Sequence, residues 1–169
     1  MPATILSATL IGVDAAPVEI ESDIANGLPA FVIVGLPDAA VQEARERVKT
    51  ALKNSGFPFP RTRLTVNLAP ADLRKAGPSF DLPIAVSIMV GSGELHRERV
   101  QDVFFLGELA LDGSLRPVAG VLAAALLAKS RNAACIFVPK ENASEAALVP
   151  GLEVFGVPNL AAHAEHLRG

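Results

Sequence analysis

The segment Phe31-Val-Ile-Val-Gly-Leu-Pro-Asp38 changes within eight residues from a strand pattern to the start of a helix. Its first four residues are aromatic or β-branched, which is typical of a buried strand. Gly35 interrupts the run, and Pro37 or Asp38 can begin a helix, because both residue types are favoured at helix N-termini. A strand that leads directly into a helix indicates that both kinds of element pack together.

The same two patterns extend in both directions from this segment. Upstream, residues 4–14 and 18–24 are predicted strands, and Asn26-Gly27 is a predicted turn. Downstream, a helix is predicted up to Gly56, with Val41 and Leu52 on its apolar face. Further strands are predicted over 64–68, 104–111, 114–118, 134–138 and 152–155, and helices over 81–90, 119–131, 144–148 and 160–167. The predicted fold class is therefore α+β, a mixed α/β domain.

Composition limits the class of protein. Half of the 169 residues are hydrophobic and 20% are charged, which predicts one domain with a real core. Cys135 is the only cysteine, so a disulfide framework is excluded and a reducing cytoplasm is expected. The longest apolar run, residues 118–128, is shorter than the ~20 residues of a spanning helix. We also expect no signal peptide, because no basic region precedes the first apolar stretch.

Positive charge is concentrated in one segment. Residues 43–75 contain eight basic and three acidic residues, although the whole chain carries a net charge of −3. Three of these basic side chains recur at helical spacing and share one helix face. The predicted nucleic-acid-binding candidates are Arg45, Arg47, Lys49, Lys53, Arg61, Arg63, Arg74 and Lys75.

Two interpretations of the basic segment remain open. It could hold phosphates by charge neutralisation without reading bases. It could equally be a solvated helix face, partly balanced by Glu43 and Glu46. The chain has no Tyr or Trp, and only Phe57 and Phe59 lie in the segment. A base-stacking platform is therefore not expected.

Five sequence blocks together resemble one family. They are Gly27-Leu-Pro, Ile33-Val-Gly-Leu-Pro37, Val66-Asn-Leu-Ala-Pro-Ala-Asp-Leu73, Phe80-Asp-Leu-Pro-Ile-Ala85 and Leu106-Gly-Glu-Leu-Ala-Leu-Asp-Gly-Ser-Leu-Arg-Pro117. The chain is similar to the N-terminal domain of the ComM/YifB-type magnesium-chelatase-like AAA+ proteins. The resemblance implies one Lon-protease-like domain over residues 1–169, with the ribosomal protein S-five domain-two fold. It also implies an AAA+ ATPase module downstream.

The resemblance carries expectations about cofactors and partners. The 169 residues contain no G-x-x-x-x-G-K-[ST] loop, so ATP and Mg are expected only in the AAA+ module. The expected partners are that module, neighbouring subunits in a hexamer, and branched or single-stranded DNA. The implied function is a non-catalytic accessory domain of a helicase that acts in recombination during natural transformation. A purely structural oligomerisation domain is an alternative.

The related Lon proteases use a Ser-Lys dyad, and this resemblance can be followed residue by residue. Gly77-Pro78-Ser79 matches the serine loop, whereas the position implied for the lysine is Leu122. A leucine cannot activate a serine hydroxyl. Lys75 is expected in an exposed loop with nothing to lower its pKa, and Asp81 is expected to cap a helix and to bring negative charge beside Ser79. A residual serine hydrolase stays open as an alternative.

The remaining chemically active residue types suggest structural roles. His163 and His166 lie three residues apart on the last predicted helix, and we expect a polar helix end rather than a metal site. Cys135 lies in an apolar strand and is expected to be an inert core thiol. The Ala-rich helix over 119–131 is expected to be buried, because all its faces are apolar.

Overall fold

The computed structural model describes residues 3–169, and a mixed seven-stranded sheet is its central layer. The strands are β1 Ile5–Ile11, β2 Asp14–Ala25, β3 Ala30–Val34, β4 Arg63–Ala69, β5 Val103–Phe105, β6 Glu108–Leu109, β7 Leu115–Arg116, β8 Cys135–Pro139 and β9 Val154–Val157. The helices are α1 Ala39–Asn54, α2 Asp81–Gly91, α3 Val121–Ser130, α4 Ala143–Ala146 and α5 Leu160–Arg168. The predicted α+β class is confirmed.

The order of strands across the main sheet is β3-β4-β2-β1-β5-β8-β9. Strand β2 pairs antiparallel with β1 and β4, and the other neighbours are parallel. Helices α1, α2 and α5 pack on one face, and α3 and α4 pack on the other. The chain therefore has two apolar layers, one on each side of the sheet.

Helix α1 follows the sequence prediction closely. Its N-cap is Asp38, whose carboxylate accepts a hydrogen bond from the Val41 N–H at 2.8 Å. The apolar stripe predicted from the spacing is buried. The helix ends before Gly56, which has a φ of +83° that a residue with a side chain rarely adopts.

A proline identifies which pairs of the β1–β2 hairpin lack hydrogen bonds. Ala8 lies opposite Pro17, and Ile11 lies opposite Asp14 beside a two-residue turn. Because Pro17 has no N–H, the Ala8–Pro17 pair is a non-hydrogen-bonded pair. Ala8 and, two residues further, Leu10 therefore direct their N–H and C=O groups away from β2.

The predicted strand over 104–111 is divided in the structure. Strand β5 ends at Phe105, and a separate hairpin, β6–β7, begins at Glu108. The chain leaves the sheet because the Gly107 N–H donates to the Ser79 carbonyl at 3.0 Å. Gly107 also approaches Leu115 so closely that a Cβ would lie 2.8 Å from the leucine Cδ2. This contact between distant segments could not be derived from local alternation.

Among residues 3–169, no helix is both long and apolar enough to cross a membrane. The longest helix, α1, has 16 residues and an exposed polar face.

Candidate functional site

The serine loop is firmly anchored in the fold. Ser79 lies in a short 3-10 turn, Pro78–Phe80, directly before α2. The Gly77 N–H donates to Asp38 Oδ2 at 3.1 Å, and the Ser79 carbonyl accepts from Gly107. The loop is thereby fixed to the start of α1 on one side and to the end of β5 on the other.

Ser79 lines a groove of about 410 Å³. The turn Pro117–Gly120 also lines this groove, so the structure brings the serine loop and the turn before Leu122 together. We call this cavity the β1 groove. Its lining residues are Ala8, Thr9, Leu10, Ala15, Ala76, Gly77, Pro78, Ser79, Leu106, Pro117, Val118, Ala119, Gly120 and Ala124. No ionisable side chain is among these described residues.

Leu122 does not line the β1 groove. Its side chain is 38% exposed, and its N–H donates to Glu145 Oε2 at 3.1 Å. The preceding turn is held by Asn142, which accepts from the Val118 N–H at 2.9 Å and donates to the Val118 carbonyl at 3.0 Å. Sequence reasoning missed Asn142 and Glu145, because neither side chain belongs to a recognisable motif near the turn.

The prediction for Lys75 was wrong. Its side chain is completely buried, and Nζ donates to the Pro70 carbonyl. Its backbone pairs with the segment before α1: Lys75 N–H donates to the Leu36 carbonyl, and the Asp38 N–H donates to the Lys75 carbonyl. Burial lowers the pKa of Lys75, and nearby Asp72 partly opposes this. The ammonium group therefore joins the two ends of its own loop and faces a carbonyl.

The prediction for Asp81 was also wrong. Asp81 begins α2 without capping it, and its carboxylate is completely buried. It accepts from Arg47 Nε at 2.7 Å, from Arg47 Nη2 at 3.1 Å and from the Leu109 N–H at 3.0 Å. The charge expected beside Ser79 is therefore compensated by a guanidinium group.

Burial and pairing act against each other at this ion pair. Burial raises the pKa of Asp81 to about 6, although the hydrogen bonds from Arg47 and Leu109 lower it. The hydrogen bond to Asp81 raises the pKa of Arg47. The raised pKa of Arg47 favours the ionised pair, whereas the raised pKa of Asp81 disfavours it. Desolvation of the fully buried carboxylate is the dominant effect. At neutral pH the pair is still ionised.

The structure divides the eight basic candidates into two groups. Arg47 and Lys75 point into the protein, as described above. The other six side chains reach solvent, and Lys49 is the most buried of them, with Nζ 5.8 Å from the centre of the Phe59 ring. The solvent-facing members are Arg45, Lys49, Lys53, Arg61, Arg63 and Arg74. We call these six residues the basic surface.

Acidic side chains interrupt the basic surface. Arg45 and Lys49 line a second groove of about 550 Å³ together with Glu43 and Glu46. Phe31 also lines this groove and packs 5.5 Å from Phe59. The two glutamates that belong to the same sequence segment therefore lie directly beside these basic side chains.

The two histidines differ: His166 is exposed in the last turn of α5, as expected of a polar helix end, whereas His163 is not. His163 is completely buried, contacts the rings of Phe105 and Phe137, and has no hydrogen-bond partner at either nitrogen. Burial, with a smaller contribution from His166, lowers the pKa of His163 to about 3. Within residues 3–169, no cluster of three or more potential metal ligands is present.

Cys135 is a buried thiol, as its apolar strand predicted. Burial, with a smaller contribution from Glu153, raises the pKa of Cys135 to about 11. The thiol is therefore protonated at neutral pH and is a poor nucleophile.

Comparisons with known proteins agree with the resemblance of the sequence blocks. Residues 20–142 match the family described as subunit ChlI of Mg-chelatase. Competence protein ComM of Haemophilus influenzae is 42% identical over 167 residues, which are 99% of this chain and 33% of that protein. Protein YifB of Salmonella typhimurium is 47% identical over 141 residues, which are 82% of this chain and 27% of that protein.

An uncharacterized protein of Mycobacterium tuberculosis is 45% identical over 163 residues, which are 96% of this chain and 32% of that protein. The chain thus spans about a third of the length of the curated relatives it matches.

Proposed function

The chain belongs to the family of the ChlI subunit of Mg-chelatase, and on this premise we propose that it is a non-catalytic accessory domain of an AAA+ ATPase. The domain helps to assemble a hexameric ring and guides DNA during recombination in natural transformation. One relative is named a competence protein, which supports the proposed pathway. ATP and Mg bind to the ATPase module in this scheme, and the protein acts in the cytoplasm.

One observation carries the non-catalytic part of the proposal. Ser79 lines a groove in which no described side chain can accept its proton. The lysine position is Leu122, and Lys75 donates to the Pro70 carbonyl. A serine without a base is a weak nucleophile at neutral pH.

A residual serine hydrolase is the second candidate function, because Ser79 lines a groove that a substrate could enter. If the serine were catalytic, Ser79→Ala would abolish peptide cleavage by the full-length protein. We expect no cleavage above background in either form. Cleavage that disappears with the substitution would overturn the non-catalytic proposal.

Exposed apolar side chains support a contact with neighbouring subunits. Helix α3 was expected to be buried on all sides, but Leu122 and Leu126 on it are 38% and 54% exposed. Val13 at the tip of the β1–β2 hairpin shares a shallow cavity with Leu126. Contiguous exposed apolar side chains are typical of interaction surfaces.

The basic surface supports a contact with DNA phosphates. Arg45, Lys49 and Lys53 lie on one face of α1. In a hexameric ring this weak site would be repeated in each subunit, and the repetition would increase the overall affinity for DNA. Phosphate neutralisation releases counterions, so affinity depends on salt.

The experiment compares the full-length protein with a variant in which Arg45, Lys49 and Lys53 are all changed to Glu. Binding of branched DNA is measured across a salt series, and we expect lower affinity and a salt slope shallower by about 2–3 units. A matched control changes Arg97, Arg131 and Lys140, which are exposed elsewhere, to Glu. Unchanged affinity and slope with the hexamer intact would show that DNA contacts another part of the protein.

A further inference from the structure

The two central parallel strands separate beside the β1 groove. Strands β1 and β5 share one pair, Leu6 opposite Phe104. If the ladder continued, the Gly107 N–H would meet the Ala8 carbonyl, but it donates to Ser79 instead. The sheet therefore opens on the carboxyl side of this pair.

The opening leaves main-chain groups of β1 without a strand partner. Leu10 directs its N–H and C=O away from β2, because it lies two residues from Ala8, whose partner Pro17 has no N–H. Within the part of the chain that the structure describes, no backbone hydrogen bond reaches Leu10 from that side. Ala8 and Leu10 both line the β1 groove, and these main-chain groups lie on the edge of β1 that β5 leaves open.

The walls of the β1 groove come from opposite sides of the sheet. The loop Ala76–Ser79 leads into α2, and the turn Pro117–Gly120 leads into α3, which packs on the other face. A crevice at the carboxyl ends of parallel strands, between loops that lead to opposite faces, is a favoured ligand site in sheets with helices on both sides.

We propose that the β1 groove binds an extended peptide, which adds a strand to β1 at Ala8–Leu10. The free N–H and C=O groups of β1 match the main chain of such a peptide, which supplies alternating acceptors and donors. The lining lacks charged side chains and is mainly apolar. The peptide segment is therefore uncharged and carries small or apolar side chains.

Hydrogen exchange in the free 169-residue chain tests the first step. The amides of Thr9 and Ile11 face β2, whereas the Leu10 amide faces the groove. We expect the Leu10 amide to exchange at least about tenfold faster than these two neighbours. Equal protection of all three amides would overturn the proposed free edge.

A designed peptide tests binding. The probe is acetyl-Val-Thr-Val-Thr-Val-amide, followed by changes in amide chemical shift, and it should slow exchange of the Leu10 amide. A second probe has the same side chains but N-methyl groups on alternate residues, which removes the donors that strand addition needs. If both probes shift the same amides equally, or if neither binds, strand addition is wrong.

Two matched variants locate the site. Ala119 is exposed and lines the β1 groove, so Ala119→Trp should block it without disturbing the core. Ala147 is exposed away from the groove, and Ala147→Trp is the control. We expect the first variant to weaken peptide binding at least about tenfold and the second to leave it unchanged. Equal binding by the two variants, with both folded, would place the peptide elsewhere.

Discussion

Two regions of the core each bury an ionisable side chain completely, but they treat it differently. At the junction of α1, α2 and β6, Asp81 receives three hydrogen bonds from Arg47 and Leu109. On the buried face of α5, His163 packs edge-on against the rings of Phe105 and Phe137, with no partner at either nitrogen. Asp81 is held as a charged group in a network, whereas His163 is tolerated only because it stays neutral.

The comparison shows that burial alone does not decide the state of a group. Asp81 keeps its charge at neutral pH because a guanidinium group lies within 2.7 Å. His163 loses its charge because nothing near it stabilises a proton, and His166 opposes one. Removing a partner should therefore matter greatly in the first region and little in the second.

The largest effect is expected for Arg47→Ala. The substitution leaves the Asp81 carboxylate buried without its guanidinium partner, and we expect a loss of about 3–5 kcal/mol in the free energy of unfolding at pH 7.5. Urea unfolding measures the change. The loss should shrink at pH 5, because Asp81 can then take up a proton.

Arg45→Ala is the matched control for Arg47→Ala. Arg45 is exposed and bonds only the Gln42 carbonyl at 3.1 Å, so we expect a change within about 0.5 kcal/mol. Equal effects of the two substitutions would show that the buried ion pair has no special role in stability.

An intermediate effect is expected from acid. The pKa of His163 is about 3 in the folded chain and about 6.5 when unfolded, so below pH 6.5 the unfolded chain binds the extra proton. This destabilises the fold by about 2–3 kcal/mol between pH 6.5 and pH 4.5. His163→Leu should remove this dependence, as measured by unfolding across that range.

The shift at Asp81 has the opposite sign. Its folded pKa of about 6 exceeds the unfolded value of 3.8, so its protonation stabilises the fold as pH falls below 6. Asp81 is present in both proteins, and the difference between wild type and His163→Leu therefore isolates the histidine. A difference that does not change with pH would contradict the low pKa of His163.

The smallest effect is expected for His163→Leu at pH 7.5. The leucine has no polar atoms to desolvate, so the free energy of unfolding should be unchanged or raised by up to about 2 kcal/mol. His166→Leu, at an exposed position, is the control. A clear loss of stability in the first variant alone would mean that the ring nitrogens of His163 are satisfied in solution.

Local sequence patterns were sufficient for most elements. Helix α1 and strand β4 lie where the spacing of apolar residues predicted them. The stretch after Val103 was predicted less well, because the break at Gly107 depends on the Ser79 carbonyl and on Leu115. The alternation of apolar and polar residues indicates which side chains are buried, but it does not indicate where a strand leaves the sheet.

The candidate site was predicted in part. The resemblance to the Lon dyad paired the Ser79 loop with the turn before Leu122, and the structure brings Ser79 and Pro117–Gly120 to one groove. The free edge of β1 was not predicted, because it requires the pairing of Ala8 with Pro17 and the departure of β5 from the sheet. Neither fact is local to Leu10.

The sequence by itself determined the family, most of the elements and the Asp38 cap of α1, because sequence blocks, apolar spacing and cap residues can be recognised along the chain. Only the tertiary structure decided which charges are available. Arg47 meets a carboxylate 34 residues away, and Lys75 folds back on its own loop. Both were predicted to be surface residues, because the sequence gives the charge of a side chain. Its burial depends on which distant segments pack against it.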